Sequence, residues 1–470
     1  MRRIYTVILF VVMASIDNTV LALLPAQTSR IGMELNVGSQ SLGWVIGLNR
    51  VALAITAVFW GYRSDQSDRR RLMILGTLTW VIPIALVTLS RSYMQFFMLM
   101  LAAGLGLGCI STVGYSVITD MVRPRWRGVM LGLWGLAQGI GTLGGGLLIG
   151  LLPTETPWYT PFGVLAVVGA LCSGLALFTV SPRKGEAEEA LRDLSERGIA
   201  YDYRIQFADL PLILAKPSNR WLMLQGFLAQ FAFGAFSLLP ALLAARLIVQ
   251  GLDVPRATAV AALLVVVFQI GGVISIGWGW LGDRLQQRYP RARALLAAYG
   301  FWLALPCYIT LFWIPLPLMG SVDGSARSIV GAQLGQNPWF WMALLASTLA
   351  VVFQATNAPN WFALVSEVNV PEHRGTAFSF INLANNIGAA IGVILVSTTF
   401  ERLKELVPSP TNYAIGLTIF QFFFLPAGLC FWLAARSTPR DSAAVQAVLE
   451  GRAAQAISAT AREDAPLPAV

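Results

Sequence analysis

The stretch "TDMVRPRWRGVMLGLWGLAQGIGTLGGG", residues 119–146, returns later in the chain as "SEVNVPEHRGTAFSFINLANNIGAAIG", residues 366–392. At one constant spacing Asp120 meets Glu367, Pro124 meets Pro371, and Arg127-Gly128 meets Arg374-Gly375. Further on, Gln138 meets Asn385, Gly141 meets Gly388 and Gly145 meets Gly392. A second pair, "GYRSD" from Gly61 and "GWLGD" from Gly279, repeats at nearly the same distance. Self-similarity on this scale marks a duplicated architecture. The chain reads as two related halves.

What the halves are made of follows from composition. Of 470 residues, 56% are hydrophobic and 12% charged, where soluble domains carry about 25% charged residues. A membrane-crossing helix needs about 20 mostly apolar residues. Twelve stretches qualify, at about 4–28, 41–61, 72–90, 95–119, 128–152, 159–180, 219–246, 257–279, 294–318, 338–366, 375–398 and 412–435. The expected fold is all-α: a polytopic membrane protein with twelve transmembrane helices in two pseudo-symmetric six-helix bundles. Residues 1–180 and 219–436 form the bundles, 181–218 a central cytoplasmic loop and 437–470 a cytoplasmic tail.

The net charge of +9 is a topology signal. With a cytoplasmic N-terminus, most of the 33 Lys and Arg fall on the inner segments, as the positive-inside rule requires. That placement argues against a nucleic-acid partner. The four cysteines lie inside apolar stretches and show no metal-ligand or disulfide spacing. The first apolar run is longer than a signal-peptide core, so it reads as helix one. Short outer loops and the lack of an Asn-x-Ser/Thr sequon suit a bacterial inner membrane, with both termini cytoplasmic.

"GYRSDQSDRRR", residues 61–71, resembles the loop signature of the major facilitator superfamily, and "RPRWRG" and "PEHRG" fit the same family. "DNTVLALLP", residues 17–25, is similar to spinster-type members, although "LMLAAGLGLG" in helix four departs from them, so their substrate is not carried over. The resemblance implies a gate on the cytoplasmic side, made of Gly61, Asp65, Arg69, Arg70, Asp120, Arg127, Gly279, Asp283, Arg284, Glu367 and Arg374. In it, Asp65 faces the start of helix eleven and Asp283 mirrors it at helix five. A carboxylate gains ~0.3–1 kcal/mol at a helix N-terminus. Asp120 and Glu367, which end the preceding helices, are expected to bind Arg69, Arg70 or Arg284.

Within the apolar stretches, Asp17 sits near the middle of helix one and Arg50 near the middle of helix two. A charge there costs roughly 2.5–3.5 kcal/mol even on the lenient insertion scale, so the two are expected to pair. When the Leu24-Pro25 and Leu239-Pro240 steps are aligned, Ala232 stands opposite Asp17, which places the acid outside the shared scaffold. Asn18, Gln138, Gln225, Gln230, Gln354, Asn357, Asn360, Asn382, Asn385 and Asn386 add neutral polarity, and buried amides need partners. They are expected to line a hydrated central cavity around the charge pair.

The reading is a secondary transporter of a small organic or amphiphilic solute, working as a monomer by alternating access, with a proton carried on Asp17. It needs no cofactor. No G-x-x-x-x-G-K-[ST] sequence occurs, so gradients supply the energy. The rival is a non-transporting assembly factor or sensor of the same fold. The single histidine, His373, has no nucleophile beside it in sequence, so an enzyme is not expected.

Overall fold

The computed structural model describes residues 2–64, 68–114, 117, 124–180, 210–320 and 324–463. Asp65 and Asp120 lie outside the described residues, as do the side chains of Arg127, Gln138 and Arg374. Among the described residues, eleven helices are long and apolar enough to cross a membrane, and the apolar stretch Gly139–Leu151 ends a twelfth. Each overlaps one of the stretches expected from hydropathy.

The first half holds α1 (Arg2–Ala26), α2 (Ser39–Ser64), α3 (Arg69–Val87), α4 (Tyr93–Gly114), α5 (Pro124–Leu151) and α6 (Thr160–Phe178). The second half holds α7 (Pro217–Val249), α8 (Val254–Gln286), α9 (Ala292–Trp313), α10 (Pro338–Glu367), α11 (Pro371–Lys404) and α12 (Thr411–Val448). Local chemistry sets the starts. Asp68, Ser92, Asp253 and Asn337 each accept a backbone N–H of the helix they precede, satisfying a donor left free at the helix start. Gly251, at φ +98°, makes the tight return between α7 and α8, a conformation open mainly to glycine. Helix α12 runs on without a break to Glu463. Asp441 in this extension accepts the Ser218 N–H at the start of α7 at 3.1 Å.

Within the first half α1 packs on α5, α2 on α4, and α3 on α4 and α6. In the second, α7 packs on α11 and α12, and α9 on α10 and α12. The halves meet through α2 against α11 and α5 against α8. Large apolar side chains cover the outside, among them Ile55 at 63% and Leu171 at 64% exposure. In water such a belt would drive aggregation; against lipid it is the solvated face.

The two ends of the barrel of helices differ. The terminal face carries the start of α1 and the extension of α12; the distal face lies at the other end.

Candidate functional site

Between the halves lies a cavity of about 240 Å³. Its first-half wall comes from Asn18, Leu21 and Pro25 of α1, Arg50 of α2, and Thr142 and Leu143 of α5. The second-half wall comes from Phe233, Phe236 and Ser237 of α7, Val265, Val266 and Gln269 of α8, and Gln354 of α10. All three second-half helices break where they line the cavity: α7 after Phe236, α8 at Gln269, and α10 after Gln354. Irregular backbone is tolerated at membrane depth where it borders a polar space, and broken helices mark binding sites in transporter folds. The Tyr308 hydroxyl donates to the side-chain carbonyl of Gln354, which leaves the amide NH2 as the end free to face the cavity. Asn18 donates to the Ala14 carbonyl at 2.9 Å.

The expected pairing of Asp17 with Arg50 does not occur. Asp17 is 4% exposed, and neither carboxylate oxygen has a hydrogen-bond partner. It points into the interior of the first half, toward the Trp80 indole and the thiols of Cys109 and Cys172. Arg50 lines the cavity instead, and among the described residues it makes no ion pair. The reason is azimuth: neighbouring positions on a helix point about 100° apart, so Asn18 reaches the cavity and Asp17 does not.

The amides also divide. Of those expected at the cavity, Asn18 and Gln354 line it, while the Gln138 side chain lies outside the described residues. Gln225, Gln230, Asn357, Asn360, Asn382, Asn385 and Asn386 are not among the lining residues. Two of them fill gaps between helices. The Asn385 side chain presses on Gly226 of α7, and Asn360 on Gly282 of α8. Gln225, 1% exposed, has no hydrogen-bond partner at either amide atom. Asn386 donates to the Asn382 carbonyl one turn away at 2.9 Å, an arrangement local to α11. Small and amide residues at such contacts are what close helix packing in lipid uses. Sequence reasoning missed Thr142, Phe233, Phe236 and Gln269; the break signal "FGAFSLLP", residues 233–240, was available for the two phenylalanines.

The distal face is closed. A Cβ at Gly47 of α2 would meet the Ala390 carbonyl of α11 at 3.0 Å, and one at Gly146 of α5 would meet the Ala262 carbonyl of α8 at 3.0 Å. The Ser39 N–H, at the start of α2, donates to the Glu401 carboxylate of α11 at 2.7 Å. Arg327 of the second half reaches the Leu151 carbonyl of the first at 3.4 Å. Toward the terminal face, Gly61 of α2 and Gly135 and Gly139 of α5 meet nothing within 4 Å among the described residues. Among the described residues, nothing of the other half packs on these three glycines.

The described gate residues lie toward the terminal face. Glu367 does not bind Arg69, Arg70 or Arg284; it pairs with Arg293 at 3.1 Å, and Asp283 pairs with the same guanidinium at 2.7 Å. Arg284 lies over the Trp280 ring at 5.5 Å instead. Arg70 reaches Asp68 at 3.9 Å and the Leu177 carbonyl at 3.4 Å. Arg69 is buried at 4% exposure. Gly279 packs against Pro359. Because α9 starts beside the ends of α8 and α10, Arg293 serves both acids within one half. Its position two residues into that helix carried no motif to reveal it.

Two six-helix halves around a shared cavity define a polytopic membrane protein with an architecture that transporters use. The chain belongs to the Major Facilitator Superfamily, whose family model matches residues 6–336. Among characterised relatives, Multidrug resistance protein 3 of Bacillus subtilis is 26% identical over 165 residues, 35% of this chain and 31% of its own length. The cis,cis-muconate transport protein of Acinetobacter baylyi is 24% identical over 299 residues, 63% of this chain and 69% of its own. The sphingosine-1-phosphate transporter SPNS2 of Danio rerio is 23% identical over 392 residues, 80% of this chain and 71% of its own. The chain thus spans about a third of the Bacillus relative and about seven tenths of the other two. Among solved structures, a bacterial homologue of the human lysosomal transporter Spinster, inward-facing and occupied, superposes with a TM-score of 0.67 at 17% identity, covering 94% of this chain and 98% of that one. The D-xylose-proton symporter superposes at 0.65 with 14% identity, over 92% of this chain and 98% of that one.

Proposed function

We propose that this protein is a secondary active transporter that carries a small organic or amphiphilic solute across a bacterial inner membrane by alternating access, driven by protons. The observation that carries the reading is the unequal closure of two halves around one cavity. A site sealed from one side and parted toward the other is one half of an alternating-access cycle. Lys and Arg concentrate on the segments of the terminal face. By the positive-inside rule that face is cytoplasmic, so both termini lie inside and the conformation is inward-facing.

Asp17 supports the proton. Its carboxyl group is buried beside the Trp80 indole and, among the described residues, has no cation beside it, a setting where an ionised carboxylate costs several kcal/mol and a neutral acid does not. A conformational change that brings water or Arg50 to it would release the proton. The relatives named above are described by unlike solutes, multiple drugs, cis,cis-muconate and sphingosine-1-phosphate, so they support transport and leave the solute to the cavity.

Membrane-impermeant maleimide on a Gly139→Cys variant tests the reading, in a background freed of the native cysteines. Labelling should occur in inside-out vesicles and be absent from right-side-out ones. A solute that raises thermal stability should be taken up by vesicles holding the protein and should change that labelling. Equal labelling from both sides, or none from the inside, would overturn the inward-facing assignment.

A further inference from the structure

We infer that the solute is a compact organic anion whose acid group is held by Arg50 while its apolar body lies against Phe233 and Phe236. This rests on the cavity being the transport site. Among its lining residues Arg50 is the single charged one. No acid offsets it: Asp17 points into the first half, and among the described residues Arg50 makes no ion pair or hydrogen bond. A guanidinium at membrane depth is costly unless a counter-charge reaches it. The remaining counter-charge is one that arrives with the solute.

Two further features agree. Tyr308 holds the Gln354 carbonyl, so that amide offers the cavity its NH2 donor, and donors suit an acid group. The opposite wall carries Phe233, Phe236, Val265 and Val266, and its polar side chains, Ser237, Gln269 and Gln354, are uncharged. Size separates the sources of such an anion. Pockets for drug-sized ligands measure about 300–1,000 Å³, and this cavity measures about 240 Å³. A single-ring or short-chain carboxylate fits; a two-chain phospholipid does not. Arg50 has no protein partner to strand, so replacing it leaves no buried acid uncompensated.

The test uses the full chain in phosphatidylcholine nanodiscs and compares three isosteres of one shape: 4-phenylbutyrate, its neutral amide and the corresponding amine, alongside benzoate and octanoate with their amides. Binding is read by equilibrium dialysis and thermal shift. At least one carboxylate should bind about tenfold or more tighter than its amide, as a charge-assisted hydrogen bond allows, and the amine should bind weakest. Arg50→Gln should erase the preference, Arg50→Lys should retain part of it, and Phe236→Ala should weaken carboxylate and amide alike. Equal binding of carboxylate and amide, a preference that survives in Arg50→Gln, or no carboxylate binding at millimolar concentration would overturn the inference. Loss of the preference in nanodiscs containing phosphatidylglycerol would assign the site to an anionic lipid and overturn it equally. Maleimide labelling at Gly139→Cys, run in parallel, reports access alone: one-sided labelling without carboxylate preference sinks this inference and leaves the transporter reading standing.

Discussion

Glu401 is the place to unlock the closed face. Its carboxylate accepts the Ser39 N–H at 2.7 Å, at the positive end of α2 and across the boundary between the halves. The Ser39 hydroxyl lies 3.5 Å from that of Tyr413, also in the second half. This contact exists only while the distal face is shut. A hydrogen bond to a charged group contributes ~1.5–3 kcal/mol, and a carboxylate at a helix N-terminus ~0.3–1 more. Glu401 is partly exposed, so screening leaves about 1–2 kcal/mol. Because 1.4 kcal/mol is a factor of ten in population, Glu401→Ala should lower the ratio of distal-closed to distal-open protein by about 5–30-fold. Glu401→Gln keeps an acceptor without the charge and should fall about halfway. The assay is pulsed electron resonance between spin labels at Met33 and Leu406. Both positions are exposed, at 49% and 80%, and each belongs to a different half at the distal face. A new, longer distance should gain population in Glu401→Ala. If a folded Glu401→Ala protein keeps the distance distribution of the parent, the carboxylate does not latch that face and the energetic reasoning fails.

Asp17→Asn should leave exchange of solute between vesicle and medium intact while abolishing accumulation driven by a pH gradient; undiminished accumulation would remove Asp17 as the proton carrier. Because Arg50 is not its partner, the same substitution should not lower thermal stability. Arg293→Ala removes the shared partner of Asp283 and Glu367 and should cost about 1–3 kcal/mol, given their partial exposure; chemical denaturation in detergent checks this, with Arg293→Lys restoring part of the loss. Gly226→Ala should cost about 1–3 kcal/mol by overpacking, since its methyl would collide with the Asn385 side chain, and the double variant Gly226→Ala/Asn385→Ala should recover much of it in the same measurement.

The twelve crossings, the duplication and the basic face could all be read from the sequence because each is a one-dimensional property. The bilayer's thickness sets the length of an apolar run, a repeat is a matter of spacing, and the positive-inside rule counts charges along the chain. The depth of Asp17 and Arg50 followed in the same way, at 1.5 Å per residue. Their relation did not, since it depends on which way each helix turns its faces, and that is settled by packing among several helices at once. Asp17 faces Trp80, Asn18 the cavity, and one residue of rotation separates the two. The amides show the same limit: Asn385 and Gln354 are alike in depth and polarity, yet one fills the gap left by Gly226 and the other borders the cavity. That Arg293 serves both Asp283 and Glu367, and that Ser39 meets Glu401, depends on which helix ends are brought side by side. No pattern along the sequence encodes such packing; the tertiary structure decides it.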